Sequence, residues 1–511
     1  MTLLARTALM LALSCGLTQP AFAAEKANGT VATQGEFDAL RARIRKELAD
    51  NPDVPSIAVA VARDGKIVWE EGFGWADRES RRPATADTPY SLASISKPIT
   101  ATGLMTLVRD GKLDLDRPAN DYLGAAKLVA RVGDARDATV RRVANHTAGL
   151  PLHYQFFYAD EPVRRPPMEE TLRRYGNLVT APGEIYEYSN LGYGVLDDII
   201  ARVSGQTYID YMRTAVFEPL GMTHSSVDIA PGLEKIVATR YGTDGKPLAF
   251  YDFDHPGGSA VYASAHDLVR FAMFHLKNHL PDQKPILSDA MIDAMHEPTA
   301  SEGKGPDAGG YGVGFGFDLK AGHRIVSHTG SMGGVRTQMQ LYPDANIAVV
   351  VLGNSGSPLP SRIADAIARQ LLPNWPAETP PGGNNNAPPK PFAAPAALLG
   401  RWTGAVVTEA GDVPVELEFQ ADGDVHARFG KQLETLVNNP RFEDGRFFGQ
   451  VVSRVDTEDT LRHPSTTRLT LTLRDNVLNG SASSVNWGTE LPADPKTRNA
   501  VSHWIEVRKA P

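Results

Sequence analysis

The stretch Ser94-Ile-Ser-Lys-Pro-Ile-Thr-Ala-Thr-Gly-Leu-Met-Thr-Leu-Val-Arg109 begins with a serine and a lysine three positions apart. Apolar Ile99, Leu104 and Leu107 then share one helical face and Gly111 follows, so the stretch predicts a helix with Ser94 at its head. Side chains three residues apart on a helix have Cβ atoms about 5–6 Å apart. The amine of Lys97 can therefore reach the hydroxyl of Ser94.

This pairing favours a serine nucleophile, because a hydroxyl attacks poorly until a base takes its proton. A lysine is such a base when burial or a neighbouring cation lowers its pKa. The spacing alone is weak evidence. Ser301-Glu-Gly-Lys304 fits it too, and a helix cap followed by a surface lysine would also produce it. Ser301 lies in a Gly-rich, loop-like stretch, so we prefer Ser94.

A second motif, Tyr188-Ser-Asn190, lies in a Gly-bounded loop that leads into an apolar helix. A phenol near a lysine can relay a proton, and an asparagine can both donate to and accept from a substrate amide. The rival Tyr175-Gly-Asn177 follows Arg173-Arg174 in a polar helical pattern, so we prefer Tyr188. Two ordinary loop residues are the alternative interpretation.

A third motif, His328-Thr-Gly-Ser331, ends a predicted strand next to further glycines. A Gly-rich strand edge lets a substrate backbone approach closely. The N–H groups of Ser94 and Ser331 could then form an oxyanion hole. A hydrogen-bonded structural histidine is the alternative for His328.

These three motifs, in this order, resemble those of the serine β-lactamase and penicillin-binding-protein superfamily. The closest branch contains class C β-lactamases, DD-peptidases and esterases, and the resemblance covers about residues 35–375. Further similar segments are Asn145–Pro151, Pro182–Asn190, Phe217–Met222 and Gly257–Ser259.

The resemblance implies the role of each residue. Ser94 is acylated, Lys97 and Tyr188 share the general base and acid work, and Asn190 holds the substrate amide. His328, Thr329 and Gly330 bind the substrate, and the N–H groups of Ser94 and Ser331 bind the oxyanion. No metal and no cofactor is implied.

One departure concerns the substrate. Many β-lactamases have lysine where this chain has His328, and a titratable imidazole is less suited to a substrate carboxylate than a permanent cation. The leading hypothesis is therefore a secreted hydrolase of a peptide, amide or ester, similar to DD-peptidases, D-aminopeptidases or esterases. A class C-type β-lactamase is the second hypothesis, and a non-catalytic cell-envelope binding or scaffolding protein is the third.

The order of elements predicts an α/β (α+β) fold. Strand patterns flank a helical block, which indicates an antiparallel sheet with flanking helices and an inserted helical domain, as in β-lactamases and DD-peptidases. This hydrolase domain is expected over residues 24–372. A Pro/Gly/Asn-rich linker covers 373–395. Residues 396–511 alternate apolar and polar side chains, which predicts a small all-β barrel or sandwich, similar to lipocalin-like domains.

Residues 1–23 have the pattern of a cleavable signal peptide: a positive Arg6, a short apolar stretch and Ala21-Phe-Ala23. A periplasmic or secreted protein is expected, with lipid anchoring at Cys15 a minor alternative. The net charge of −8 without a basic block argues against a nucleic-acid partner. No apolar run is long enough for a transmembrane span. The partner is thus a small-molecule or peptide substrate, and the oligomeric state is not predicted.

Overall fold

The computed structural model describes residues 35–301, 303, 308–378, 391–486 and 499–511. The predicted signal peptide lies outside these residues, as do Lys304 and the middle of the predicted linker. No helix in the described ranges is long and apolar enough to cross a membrane.

A nine-stranded antiparallel sheet forms the centre of the first domain, in the order β11-β12-β13-β14-β15-β16-β1-β2-β3. The strands before the barrel are β1 Ser56–Arg63, β2 Lys66–Asp77, β3 Arg82–Pro83, β4 Tyr90–Ser91, β5 Val129–Ala130, β6 Phe156–Tyr158, β7 Asn177–Leu178, β8 Ser225–Val227, β9 Tyr251–Phe253, β10 Val261–Ala263, β11 Ala300–Ser301, β12 Gly310–Tyr311, β13 Gly316–Lys320, β14 His323–Met332, β15 Val335–Tyr342 and β16 Ile347–Gly353.

Both faces of this sheet are covered by helices. The helices of this domain are α1 Asp38–Asp50, α2 Ser96–Arg109, α3 Val140–Ala144, α4 Met168–Tyr175, α5 Asn190–Ser204, α6 Tyr208–Met212, α7 Pro256–Ser259, α8 Ala265–His275, α9 Asp289–His296 and α10 Leu359–Leu371, and a further helix, α11 Glu458–Leu461, belongs to the C-terminal domain. The first and last helices of the domain, α1 and α10, pack on one face, and the inserted helices pack on the other. The Val- and Ala-rich β1 and the fully buried β16 suit a sheet covered on both sides. The predicted fold class is confirmed.

Local signals account for several boundaries. Asp64 and Gly65 both have positive φ, as the tight turn between β1 and β2 requires. Ser264 caps α8 by accepting from the Asp267 N–H at 3.0 Å. The pattern Ser264-Ala-His-Asp267 predicts a capping box, in which the Asp267 side chain would also accept from the Ser264 N–H, and that second half of the prediction is wrong. The Asp267 carboxylate instead accepts from the His224 N–H and the Ser225 hydroxyl, because α8 packs against that loop.

The C-terminal domain is a closed, eight-stranded antiparallel barrel in which each strand pairs with the next and the last pairs with the first. Its strands are β17 Gly400–Val407, β18 Val413–Phe419, β19 Val425–Phe429, β20 Thr435–Glu443, β21 Arg446–Val451, β22 Thr466–Arg474, β23 Val477–Val485 and β24 Ala500–Lys509. A small all-β domain was predicted, and the structure shows a barrel rather than a sandwich.

The barrel packs tightly on the first domain. Tyr154 and Ala500 exchange two backbone hydrogen bonds of 2.9 Å, and Val501 is buried in the core of the helical layer. The segment Tyr154–Tyr158 supplies three buried aromatic residues in β6. It also forms the contact with the barrel, which the sequence does not predict.

Candidate active site

Ser94 lies in a single 3₁₀ turn, Ala93–Ile95, directly before α2. Ala93 has φ of 49°, a left-handed conformation that is uncommon for a residue with a side chain. Neighbouring groups hold this turn. The Leu92 N–H donates to the Val261 carbonyl at 2.9 Å, and the Thr337 hydroxyl donates to the Leu92 carbonyl at 2.9 Å. Strained backbone held by its surroundings is common at functional sites.

Lys97 is fully buried, and its Nζ has three hydrogen-bonding partners. The distances are 3.1 Å to Ser94 Oγ, 2.7 Å to Asn190 Oδ1 and 3.0 Å to the Gly258 carbonyl oxygen. Burial lowers the pKa of Lys97 well below its ordinary value, since water is excluded from the charged form.

The three partners fit a neutral amine. A neutral amine has two N–H groups and one lone pair, and an amide or carbonyl oxygen can only accept. The two N–H groups therefore donate to Asn190 Oδ1 and the Gly258 oxygen. The lone pair then faces Ser94, whose hydroxyl can donate to it. The structure thus places an amine of lowered pKa, which can act as a base when neutral, beside the hydroxyl of Ser94.

Aromatic rings enclose the amine. Lys97 Nζ lies 4.8 Å from the ring centre of Tyr188 and 5.6 Å from that of Tyr193. The Tyr188 ring is 4.4 Å from the ring of His146. The structure therefore brings Ser94, Lys97, Tyr188 and Asn190 into one cluster. In this cluster the Asn190 oxygen is bonded to Lys97, although the resemblance assigns Asn190 to the substrate amide.

His328 lies at the same cluster, 6.4 Å from Tyr188 between ring centres. Its Nδ1 is 2.8 Å from the Thr329 carbonyl oxygen and its Nε2 is 2.8 Å from the Tyr311 hydroxyl. A carbonyl only accepts, so Nδ1 is protonated and Nε2 accepts from Tyr311. Burial and the nearby Lys97 lower the pKa of His328 to about 3. The imidazole is neutral at physiological pH.

Beyond Ser327, β14 has no strand paired to its outer edge among the described residues, because β13 pairs with it only up to that position. Thr329 and Ser331 are exposed there. Gly330 is buried and faces the Ser94 turn. A Cβ atom on it would lie 2.1 Å from the Leu92 oxygen and from Thr337 Oγ1. Glycine thus lets β14 approach the nucleophile turn itself.

The rival motif residues lie apart from this cluster. Ser301 is exposed and its hydroxyl donates to the Gly303 carbonyl at 2.6 Å. The Tyr175 hydroxyl donates to Asp459 of the barrel. Neither contacts Lys97.

Three buried residues of the site were missed by the sequence reasoning: His146, Tyr193 and Tyr311. His146 belongs to the segment Asn145–Pro151, which resembles the same superfamily but predicts no role for this histidine. His146 Nδ1 accepts from the Ser189 N–H at 3.2 Å, so its proton is on Nε2. That atom is buried without a partner among the described residues. A histidine flanked by asparagine and threonine before Gly149 was the available signal.

Comparisons with known proteins bear on the family and the fold of the chain. Residues 40–373 match the model of the family described as Beta-lactamase. Protein flp of Staphylococcus aureus (strain N315) is 26% identical over 325 residues, which span 62% of this chain and 63% of flp. The chain thus covers less than two thirds of that relative. Penicillin-binding protein 4* of Bacillus subtilis (strain 168) is 27% identical over 386 residues, covering 69% of this chain and 79% of that protein.

Solved structures show the same fold. The octameric penicillin-binding protein homologue from Pyrococcus abyssi has a TM-score of 0.57 at 26% identity, covering 86% of this chain and 97% of that chain. A class C β-lactamase has a TM-score of 0.55 at 19% identity, covering 67% and 97%. EstCE1, a hydrolase with promiscuous acyltransferase activity, has a TM-score of 0.55 at 22% identity, covering 65% and 98%.

Proposed function

Because the chain belongs to the Beta-lactamase family, a family of serine hydrolases, we propose that it forms an acyl-enzyme on Ser94 and hydrolyses an ester, amide or peptide. The observation that carries this proposal is the buried amine of Lys97, which lies 3.1 Å from the Ser94 hydroxyl and whose pKa burial lowers well below its ordinary value. Its two N–H groups are engaged elsewhere, so its lone pair is left for the proton of Ser94.

In the first half of the reaction, the Ser94 oxygen attacks the substrate carbonyl carbon while its proton passes to the lone pair of Lys97. The N–H groups of Ser94 and Ser331 would stabilise the oxyanion. Collapse of the tetrahedral intermediate breaks the bond to the leaving amine or alcohol, which takes a proton from Lys97 by way of Tyr188.

In the second half, water attacks the acyl carbon of the Ser94 ester. Lys97 and Tyr188 take the proton of the water and then return a proton to Ser94. The products are a free carboxylic acid and the regenerated enzyme.

The neutral His328 supports substrates that do not need a cation to hold a carboxylate. An imidazole with a pKa of about 3 is uncharged at neutral pH, so it offers hydrogen bonds but no fixed positive charge. We therefore place esters and amides, including those of D-amino acids, before β-lactams. A class C-type β-lactamase stays the second candidate.

A non-catalytic envelope protein is the candidate of another class. The clustering of Ser94, Lys97, Tyr188 and Asn190 argues against it, because a binding module has no need of a neutral lysine at a serine hydroxyl. The signal-peptide pattern of residues 1–23 supports action in the periplasm or outside the cell.

The test is intact mass spectrometry over time after addition of p-nitrophenyl acetate or a penicillin. We expect a mass increase of one acyl group in the wild type and in Ser301→Ala, the matched control from the rival motif. Ser94→Ala should show none. Rapid penicillin loss with only a transient adduct would favour the β-lactamase. Absence of both adduct and turnover across an ester and D-amino-acid amide panel would contradict an enzymatic role.

A further inference from the structure

A second cluster of buried polar residues lies between the barrel and Lys97, and the catalytic mechanism above does not use it. His153, Asp254 and His255 are each at most 1% exposed. Buried charge of this kind is costly unless it is hydrogen-bonded throughout. The burial of these three polar side chains must therefore be offset by hydrogen bonds.

The hydrogen bonds of the cluster converge on the carboxylate of Asp254 from both sides. The Ser502 N–H of β24 donates to His153 Nδ1 at 3.2 Å. The proton of His153 is therefore on Nε2, which donates to Asp254 Oδ2 at 3.1 Å. Asp254 Oδ1 accepts from His255 Nδ1, so His255 Nε2 accepts from the Ser259 hydroxyl at 3.1 Å. Each ring has one donor and one acceptor nitrogen, and each is satisfied.

The series ends at the groups that hold the amine of Lys97. His255 and Ser259 flank and end the short helix α7, and the carbonyl of Gly258 within it accepts from Lys97. The His153 carbonyl accepts from the Leu191 N–H at 3.2 Å, next to Asn190, which is the other acceptor of Lys97. The segment around His153 thus supports both oxygen atoms that accept hydrogen bonds from the Lys97 amine.

The same segment is bonded to the barrel along its length. The Ser502 hydroxyl donates to the Leu152 carbonyl. Tyr154 and Ala500 are paired, and the Phe156 N–H donates to Asn499 Oδ1 at 2.8 Å. The Gln155 N–H donates to Asp254 Oδ1 at 2.9 Å. Barrel, segment and Asp254 form one hydrogen-bonded unit.

We infer that His153, Asp254 and His255 are positioning residues, which hold the lone pair of Lys97 toward Ser94 and make that alignment depend on the docked barrel. This inference rests on the proposed function, since it gives Lys97 the role of base. The barrel is then a required part of the active site and not a passive appendage.

The charged and titratable groups around the series support this role. Burial raises the pKa of Asp254, but His255 and the hydrogen bonds from His153 and His255 outweigh it and keep the pKa below its ordinary value. Asp254 is thus an anion, which fixes the tautomers of both histidines. Asp254 also lines a cavity of about 230 Å³ together with Arg165, Asp197 and Asp228.

Lys97 is faced by other titratable groups. These are the rings of Tyr188 and Tyr193 and the imidazoles of His146, His255 and His328, whose pKa values burial and Lys97 together lower. Their lowered pKa values keep these histidines neutral, so Asp254 is the anion of the series. An anion favours the charged form of an amine, so we expect removal of the Asp254 charge to lower the pKa of Lys97 further.

The decisive variant is Asp254→Asn, which keeps the size of the side chain but removes the charge. We expect kcat for ester hydrolysis to fall about 100-fold, the effect of a small misplacement of a catalytic group, with KM little changed. The acid limb of kcat/KM against pH should move to lower pH. Asp459→Asn is the matched control, because Asp459 accepts from Tyr175 and Arg174 at the same interface but lies outside the series. The acid limb of kcat/KM against pH in Asp459→Asn should match that of the wild type.

Two substitutions of His153 each keep one of the two hydrogen bonds of its ring and remove the other. Glutamine can replace the Nε2 donor to Asp254, and asparagine can replace the Nδ1 acceptor of Ser502. His153→Gln loses the bond from Ser502, so it should raise hydrogen exchange in β24 and lower kcat with it. His153→Asn loses the bond to Asp254, so it should lower kcat while β24 stays protected. Wild-type kcat in either variant would overturn the inference.

A readout without substrate keeps the inference testable if no ester is turned over. In protein labelled with ¹³C at the Cε atoms of lysine, the NMR signal of Lys97 is the one that is absent from Lys97→Arg. We expect this signal to titrate at lower pH in Asp254→Asn than in the wild type or Asp459→Asn. An unchanged titration would overturn the inference even if Ser94 is acylated. Failure of acylation at Ser94 with a shifted titration would instead overturn the proposed function alone.

Discussion

At the scale of single residues, the protonation of Lys97 governs the chemistry. Burial lowers its pKa well below the ordinary value, and the neutral form is the base. The acylation rate should therefore fall as pH decreases through the lowered pKa and should be level above it. A lysine with an unperturbed pKa near 10.4 would instead give a rate that rises up to about pH 10.

Replacement of this base should remove activity without removing the nucleophile. In Lys97→Arg the guanidinium stays protonated, so we expect the acylation rate to fall about 10²- to 10⁴-fold. The measurement is the rate of p-nitrophenol release at several pH values. Lys112→Arg, at an exposed lysine just after the same helix, should leave the rate unchanged. Full activity in Lys97→Arg would exclude Lys97 as the base.

The lowered pKa of Lys97 also makes the free energy of unfolding depend on pH. Between the lowered folded pKa and the unfolded pKa of about 10.4, the unfolded chain binds one proton more than the folded chain. The free energy of unfolding therefore rises with pH in that window. Relative to Lys97→Met, the wild type should gain up to about 1.4 kcal/mol per pH unit between pH 7 and 10. Urea unfolding at several pH values measures this, and a constant difference would contradict the neutral amine.

At the scale of elements, the close approach of β14 to the Ser94 turn depends on Gly330. In Gly330→Ala the new Cβ atom would lie 2.1 Å from the Leu92 oxygen, so the strand or the turn must shift. We expect a loss of about 3 kcal/mol in the free energy of unfolding and a loss of acylation. Gly316→Ala, in the same sheet with 3.4 Å to its nearest atom, is the control. Wild-type acylation in Gly330→Ala would show that the turn tolerates displacement.

The sequence predicted most of these elements because their signals are local. The apolar face of α2, the Asp64-Gly65 turn and the Ser264 cap each depend on a few neighbouring residues. The left-handed Ala93 was not predictable, since an alanine gives no sign of positive φ. Its conformation is held by Val261 and Thr337, which are distant in the chain. The second half of the predicted capping box failed for the same reason.

At the scale of the whole molecule, the sequence predicted a separate all-β domain but not its role. Alternating strands and a Pro/Gly-rich stretch indicate a domain change, whereas docking depends on surfaces that meet only in the folded protein. Arg474 and Arg446 of the barrel contact Glu184 and Glu187 beside Tyr188. Each of these is an ordinary charged residue in the sequence. The polar connection through His153 and Asp254 was equally invisible, since its members lie about 100 residues apart.

Arg462 is the residue through which the docking of the barrel can be tested. Its side chain is 7% exposed, its guanidinium donates to the Phe156 carbonyl at 2.7 Å, and it lies 4.5 Å from the ring centre of Phe157. Arg462→Met keeps the packing volume but leaves that carbonyl without its donor. Loss of a partner for a buried polar group costs about 1–3 kcal/mol, so we expect a lower unfolding temperature and faster hydrogen exchange in β6 and β24.

The effect of Arg462→Met should extend to the active site if the barrel supports Lys97. We expect kcat for an ester to fall together with the protection of β24, while KM stays near that of the wild type. Arg454→Met, at a half-exposed arginine whose guanidinium pairs with Asp456 within the barrel, should change neither. Loosened β24 with wild-type kcat would mean that the hydrolase domain aligns Lys97 by itself. Because the barrel bonds reach both acceptors of the amine, we expect catalysis and docking to be lost together.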